Sequence, residues 1–198
     1  MNDHIEPRFL TFTTESNALD YLEKAFFYIR SVDSDHTAWK WVILSLHGAI
    51  YGFAICACKG TNPDNVMRKT RKGEMHLISF GKALEMCQDE AWMAMTVNSK
   101  ALKLTAKQAD ALTQLKDSFR NVFEHFSPMD FHISLHELPS ACLECLPVVE
   151  FLALKTGNYT HLSGNERERV NFIVRQSRHT LESCLLYKEA VFGSGYRD

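Results

Sequence analysis

The sequence predicts an all-α protein, a bundle of five to seven helices running mostly up and down. Apolar residues recur at helical spacing along almost the whole chain, and helix-opening signatures appear three times. Runs that alternate apolar with polar residues, as half-buried strands require, are absent. The 198 residues suit one domain over 1–198, with a short polar N-terminus at 1–15, a basic loop at 59–78 and a flexible tail at 191–198. A hydrophobic share of 45% is that of a soluble protein with a large core.

Taken in order, residues 16–34 place Ala18, Leu19, Leu22, Ala25, Phe26 and Ile29 on one apolar face. The next stretch, 41–58, has no charged side chain and is bracketed by Lys40 and Lys59. At about 1.5 Å per residue it spans roughly 27 Å, the lower limit for crossing a bilayer. Ser45, His47, Gly48 and Gly52 favour the centre of a bundle instead, where a helix is apolar all round and glycines admit a close neighbour. No membrane association is therefore expected. Gly60, Asn62 and Pro63 signal a loop, and 79–88 reads as a short helix.

Three capping boxes follow: Thr105 with Gln108, Ser134 with Glu137, and Ser163 with Glu166. They predict helices over about 106–126, 135–155 and 164–190. Phe126-Ser127-Pro128 should stop the first at about Ser127, because the residue before a proline avoids the helical region. Pro147 should kink or split the second, whereas Pro139 belongs near its start. Trp39, Trp41 and Trp92 read as core anchors, and His47 as a hydrogen-bonded core residue.

A formal charge of −2 excludes a protein-wide basic field that would draw in nucleic acid, so any RNA contact must be local. Lys59, Arg68, Lys69, Arg71 and Lys72 against Asp64 give residues 59–72 a charge of five minus one, +4, the expected RNA-tracking surface. The six cysteines lie in apolar helical stretches and read as reduced, buried thiols of a cytosolic protein. Cys142 and Cys145 have a C-x-x-C spacing without a second pair, and His132 and His136 straddle a helix start, so neither a metal nor a cofactor is expected. The opening residues, MNDHIEPR, are polar and carry no secretory signal, which points to the cytoplasm.

The chemistry concentrates in Arg120-Asn121-Val122-Phe123-Glu124-His125, expected in the last turn of its helix. Arginine is a permanent cation that forks onto phosphate oxygens, and histidine exchanges a proton near neutrality. Together they supply what metal-free cleavage of a phosphodiester requires. Five residues turn an ideal helix by about 500°, so Arg120 and His125 would stand roughly 140° apart. They can converge if the last turn unwinds before Pro128, or if two copies of the chain each supply part of one site. Glu124 reads as a surface ion-pair partner.

This motif resembles the R-x(4–6)-H signature of the HEPN superfamily (higher eukaryotes and prokaryotes nucleotide-binding), including the polar residue straight after the arginine, Asn121. The apolar second helix and the bundle pattern add to the likeness. The resemblance implies a metal-independent endoribonuclease, a homodimer with a composite site and RNA as substrate. Arg120 would hold the scissile phosphate, His125 would move the proton, and Asn121 would orient one of them, leaving a 2′,3′-cyclic phosphate. It also implies the toxin or effector of a bacterial toxin–antitoxin or anti-phage system, restrained by an antitoxin protein. Two departures stand out. Ser127 occupies the place of a tyrosine that a partner nucleotidyltransferase modifies in several members, and the second helix lacks the glutamate many relatives carry there. Some members only bind partners, so the alternative expectation is a non-catalytic HEPN-like helical module that holds a protein or nucleotide.

Overall fold

The computed structural model describes residues 8–95, 99–125, 130–157 and 162–193. In chain order the described helices are α1 (Thr14–Ile29), α2 (Ala38–Lys59), α3 (Phe80–Gln88), α4 (Glu90–Met93), α5 (Ala106–Thr113), α6 (Asn121–Glu124), α7 (Leu138–Leu154), α8 (Gly164–Ser183) and α9 (Leu185–Phe192). Seven of them reach eight residues or more, and the protein is all-α apart from one small hairpin.

α1 opens before the expected start because Thr13 is its cap. Thr13 Oγ1 accepts from the Ser16 amide at 3.0 Å, and Ser16 Oγ accepts from the Thr13 amide at 2.8 Å. α2 runs back antiparallel, with Gly52 against Ala18 and Gly48 against Tyr21. A methyl on Gly52 would stand 2.6 Å from Ala18 Cβ and 3.1 Å from its Cα, closer than packed carbons tolerate, so the glycine is what lets the two axes approach. α2 is the central helix: Val42, Ile43, Leu46, Ile50, Phe53 and Ala54 are fully buried. It is long and apolar enough to cross a membrane, yet 72% of its apolar window is covered by the rest of the fold. Side chains of α3, α5, α7, α8 and α9 join α1 and α2 in one continuous core.

Several elements depart from the sequence expectation. The basic loop contains a hairpin, β1 (Met67–Lys69) with β2 (Met75–Leu77), in the register Met67 to Leu77 and Lys69 to Met75. Three-residue strands are too short to register as alternation, and Gly73, at φ 87°, supplies the left-handed residue the turn needs. Of the three capping boxes, those at Thr105 and Ser163 form, but Ser134 makes no side-chain cap. Leu135–Glu137 is instead a 3₁₀ turn, and Pro139 sits in the first turn of α7, where its missing amide costs nothing. Pro147 does not split α7, because buried neighbours on both sides, Cys145, Leu146, Val148 and Val149, hold the helix through the missing bond. The expected single helix at 164–190 breaks at Cys184, whose backbone is extended. There Ser183 Oγ donates to the carbonyls of His179 and Thr180, and the Leu185 amide donates to Asp33 Oδ1, so side chains satisfy what the helix gives up. Trp39 is buried, but Trp41 is 46% exposed and is no core anchor. It points out of the α1–α2 pair and stacks on Tyr28. The proposed helix stop at Ser127 and most of the tail lie outside the described residues.

Gly52→Ala should lower stability by about 1–3 kcal/mol, the usual cost of overpacking, despite a gain of up to about 1 kcal/mol in helix propensity. Gly48→Ala should cost less, because the Tyr21 ring it meets is 41% exposed and free to rotate away. Thermal melts followed by circular dichroism separate the two, with Gly52→Ala melting lower.

Candidate functional site

Arg120 owes its position to a change of helix type. Ala111, Leu115, Phe119 and Phe123 recur every four residues. On an α-helix each such step slips by about 40°, so three steps would carry Phe123 roughly 120° off the core face. Gln114–Arg120 widens into a π-helix, with the Asn121 amide reaching the Lys116 carbonyl, and all four side chains stay packed against the core. Turns of this kind concentrate at functional sites. α6 then adds one α-helical turn and stops at Glu124. His125 follows with an extended backbone, φ −96° and ψ 102°, and is exposed.

On the core side, Lys116, Arg120 and Glu124 face a cleft of about 540 Å³. Thr14, Asn17 and Tyr21 of α1 form one wall, and Leu44, His47, Gly48 and Tyr51 of α2 form its floor. Leu77, Ser79 and Phe80 close the end where the hairpin meets α3. The Tyr51 hydroxyl donates to the Ile78 carbonyl and so anchors this end, while burial holds its pKa above the ordinary phenol value.

Two neighbours hold the guanidinium. Nη1 of Arg120 donates to Asn121 Oδ1 at 3.0 Å, and Asn121 Nδ2 in turn donates to Asp117 Oδ1 at 3.3 Å. Nη2 pairs with Glu124 one turn on, and the buried Nε has no acceptor. Asn121 thus orients the arginine. Two cations, Lys116 and Arg120, meet a single carboxylate, Glu124, inside the cleft. An anion entering it must displace Glu124 to reach the fork, and gains a desolvated donor set when it does.

His47 lies against Phe80, its ring stacked at 4.4 Å between centroids and 23° between planes. Burial, reinforced by the charges of Arg120 and Lys116, pushes its pKa down to about 4, so the imidazole is neutral at pH 7.

Of the expected catalytic residues, Arg120 lines this cleft with Asn121 bonded to its guanidinium from outside the lining, and His125 lies outside the lining too. The helix does unwind before Pro128. It unwinds at His125 itself, however, and leaves that residue exposed and outside the cleft that Arg120 lines. Lys59 stands apart from the exposed basic residues of the hairpin. It is the last residue of α2, and its Nζ lies 2.9 Å from Oε1 of the buried Glu15. Burial raises the Glu15 carboxyl, but the hydrogen bond and charge of Lys59 outweigh it and hold the pKa below its ordinary value. Arg68 and Lys69 on β1, with Arg71 and Lys72 in the turn, are exposed on the hairpin whose far strand reaches the cleft through Leu77. All six cysteines are free and buried; burial pushes Cys56 and Cys142 up to about 12 and also raises Cys145 well above the ordinary thiol value. Sequence reasoning missed Lys116 and His47 as cleft residues. Lys116 was findable, lying four residues before Arg120 on the same helix face.

Comparison with family models, with curated proteins and with solved structures finds no match to this chain.

Two outcomes follow from the electrostatics. His47 has a folded pKa depressed below its unfolded value of about 6.5, so the unfolded chain takes up the proton first. Stability from this group is therefore full above pH 6.5 and is lost as pH falls toward 4, by on the order of 3 kcal/mol. Urea denaturation at pH 7 and pH 4.5 should show a smaller loss for His47→Phe than for the wild type. Lys59→Met strands the buried Glu15 carboxylate and should cost about 3 kcal/mol in the same denaturation at pH 7.

Proposed function

We propose that this chain is a metal-independent endoribonuclease of the HEPN type, working as a homodimer in which Arg120 of one copy and His125 of the other act on one phosphodiester. The observation that carries this reading is the division of labour at the end of the π-helix. The last turn directs a guanidinium into an open cationic cleft, and the next residue offers an exposed imidazole. Neither side chain is placed to finish the chemistry alone, and a twofold pairing of helix ends supplies what each lacks.

In this reading the scissile phosphate displaces Glu124 and lies against Arg120 and Lys116, whose charges offset the negative charge growing on the equatorial oxygens. One neutral His125 takes the proton from the ribose 2′-hydroxyl as that oxygen attacks phosphorus. The departing 5′-oxygen takes its proton from water, and His125 returns its own to solvent. The products are a 2′,3′-cyclic phosphate and a free 5′-hydroxyl, and the need for a 2′-hydroxyl restricts the substrate to RNA. The role fits a cytoplasmic toxin or anti-phage effector restrained by an antitoxin protein, with α2 as a core helix rather than a membrane span.

The ion pair between Arg120 and Glu124, and the absence of His125 from the cleft lining, favour a second reading: a non-catalytic helical module whose cleft binds a protein or nucleotide partner.

An RNA cleavage assay in excess chelator decides between them. Arg120→Ala and His125→Ala should each lose at least about 100-fold in rate. Because a mixed dimer of the two variants rebuilds one complete site, mixing them should restore about a quarter of wild-type activity. Wild-type inactivity in chelator, or equal rates for wild type and variants, would leave the binding module.

A further inference from the structure

The cleft does not end at Tyr21. On α1, Asn17, Tyr21, Lys24 and Tyr28 follow one another at helical spacing, and Trp41, Leu44, Gly48 and Tyr51 do the same on the antiparallel α2. Their lower members line the cleft around Arg120, so the same strip of surface continues upward from it to Tyr28 and Trp41. Along the way it presents aromatic faces. The Tyr21 ring lies over Gly48, whose missing side chain leaves it room, and 41% of the residue stays exposed. Trp41 stacks on Tyr28 at 6.0 Å and 25°, remains 46% exposed, and carries Lys40 Nζ over its ring at 5.0 Å.

We propose that this strip is a track for single-stranded RNA, leading from the Arg120 cleft to a base-stacking platform at Trp41, with Tyr21 as an intermediate step. It rests on the reading that the cleft receives a phosphodiester. The spacing suits a nucleic-acid strand. Gly48, under Tyr21, and Trp41 are seven residues apart, about 10 Å along the helix, the length of about three stacked bases at 3.4 Å each, or fewer in a drawn-out strand. The charge suits it too: Lys24, Lys40, Lys116 and Arg120 accompany the aromatic steps, while Glu124 and Asp117 are engaged with Arg120 and Lys116. Among the described residues, Asp20 beside Tyr21 is a lone opposing carboxylate, leaving the strip net positive. Aromatic faces interleaved with cations are the chemistry of sequence-tolerant single-strand binding.

The test is fluorescence anisotropy with a labelled 12-nucleotide 2′-O-methyl RNA, which binds but lacks the hydroxyl needed for cleavage, compared with its duplex. Wild type should bind the single strand more tightly than the duplex. Trp41→Ala and Tyr21→Ala should each weaken binding about tenfold, and Trp41→Phe should keep most of it. Half-exposed residues should leave the thermal melt near wild type, which separates lost contact from lost fold. Equal binding by Trp41→Ala and wild type, preference for the duplex, or no RNA binding at all (as for a protein-docking face) overturns the track. Weakened binding by Trp41→Ala in a protein that never cuts unmodified RNA upholds the track and removes the ribonuclease. Cleavage that depends on Arg120 and His125 but ignores Trp41 does the reverse.

Discussion

The close contact of α1 with α2 at Ala18 and Gly52 is the constraint on which the remaining structure depends. It lets two antiparallel helices share a face without side chains between them, and that places α2 at the centre of the bundle rather than at its edge. Because Gly48 repeats the opening one turn away, the surface above the contact is a shallow cleft and not a filled ridge. The buried pair of Glu15 with Lys59 closes one end of the same hairpin. Burying that pair costs desolvation at both ends, so its value lies in fixing the register of the two helices rather than in net stabilisation.

Opposite this frame stands a segment with conflicting demands. Its apolar residues repeat every four positions, which an α-helix cannot keep on one side, and the backbone yields by widening. The cost is poorer hydrogen-bond geometry over Gln114–Arg120. The return is that Phe119 and Phe123 stay seated while Lys116, Arg120 and Glu124 line up toward α2. Packing, in other words, aims the cations.

Much of the architecture was legible in the residues. The apolar faces of α1 and α2, the Thr105 and Ser163 caps and the glycine contact all follow from local periodicity and cap chemistry, and those are short-range properties. What escaped depended on partners distant in sequence. Asp33 captures Leu185 and ends α8 from 152 positions away. Pro139 overrides Ser134, and the hairpin is too short to announce itself. For the site, the adjacency of Arg120 and Asn121 was legible, and so was Glu124 as an ion-pair partner on the same helix face. His47 was readable only as a buried residue, because its meeting with Lys116 and Arg120 exists solely in three dimensions. The burial of Lys59 against Glu15 was not legible: a lysine in a basic run is solvated by default, and nothing local reveals a buried glutamate 44 residues earlier.

The tethered carboxylate of Glu124 acts on the arginine as a competitor that never diffuses away, at an effective concentration in the millimolar range or above. A small monoanion presents one attachment point and must outcompete that internal rival on its own. A polymer gripped elsewhere on the surface arrives with its next charge already tethered, and the contest becomes local on both sides. Where the cleft receives a phosphodiester, as proposed, the ion pair would work as a filter on valency, turning away small phosphates while yielding to a chain.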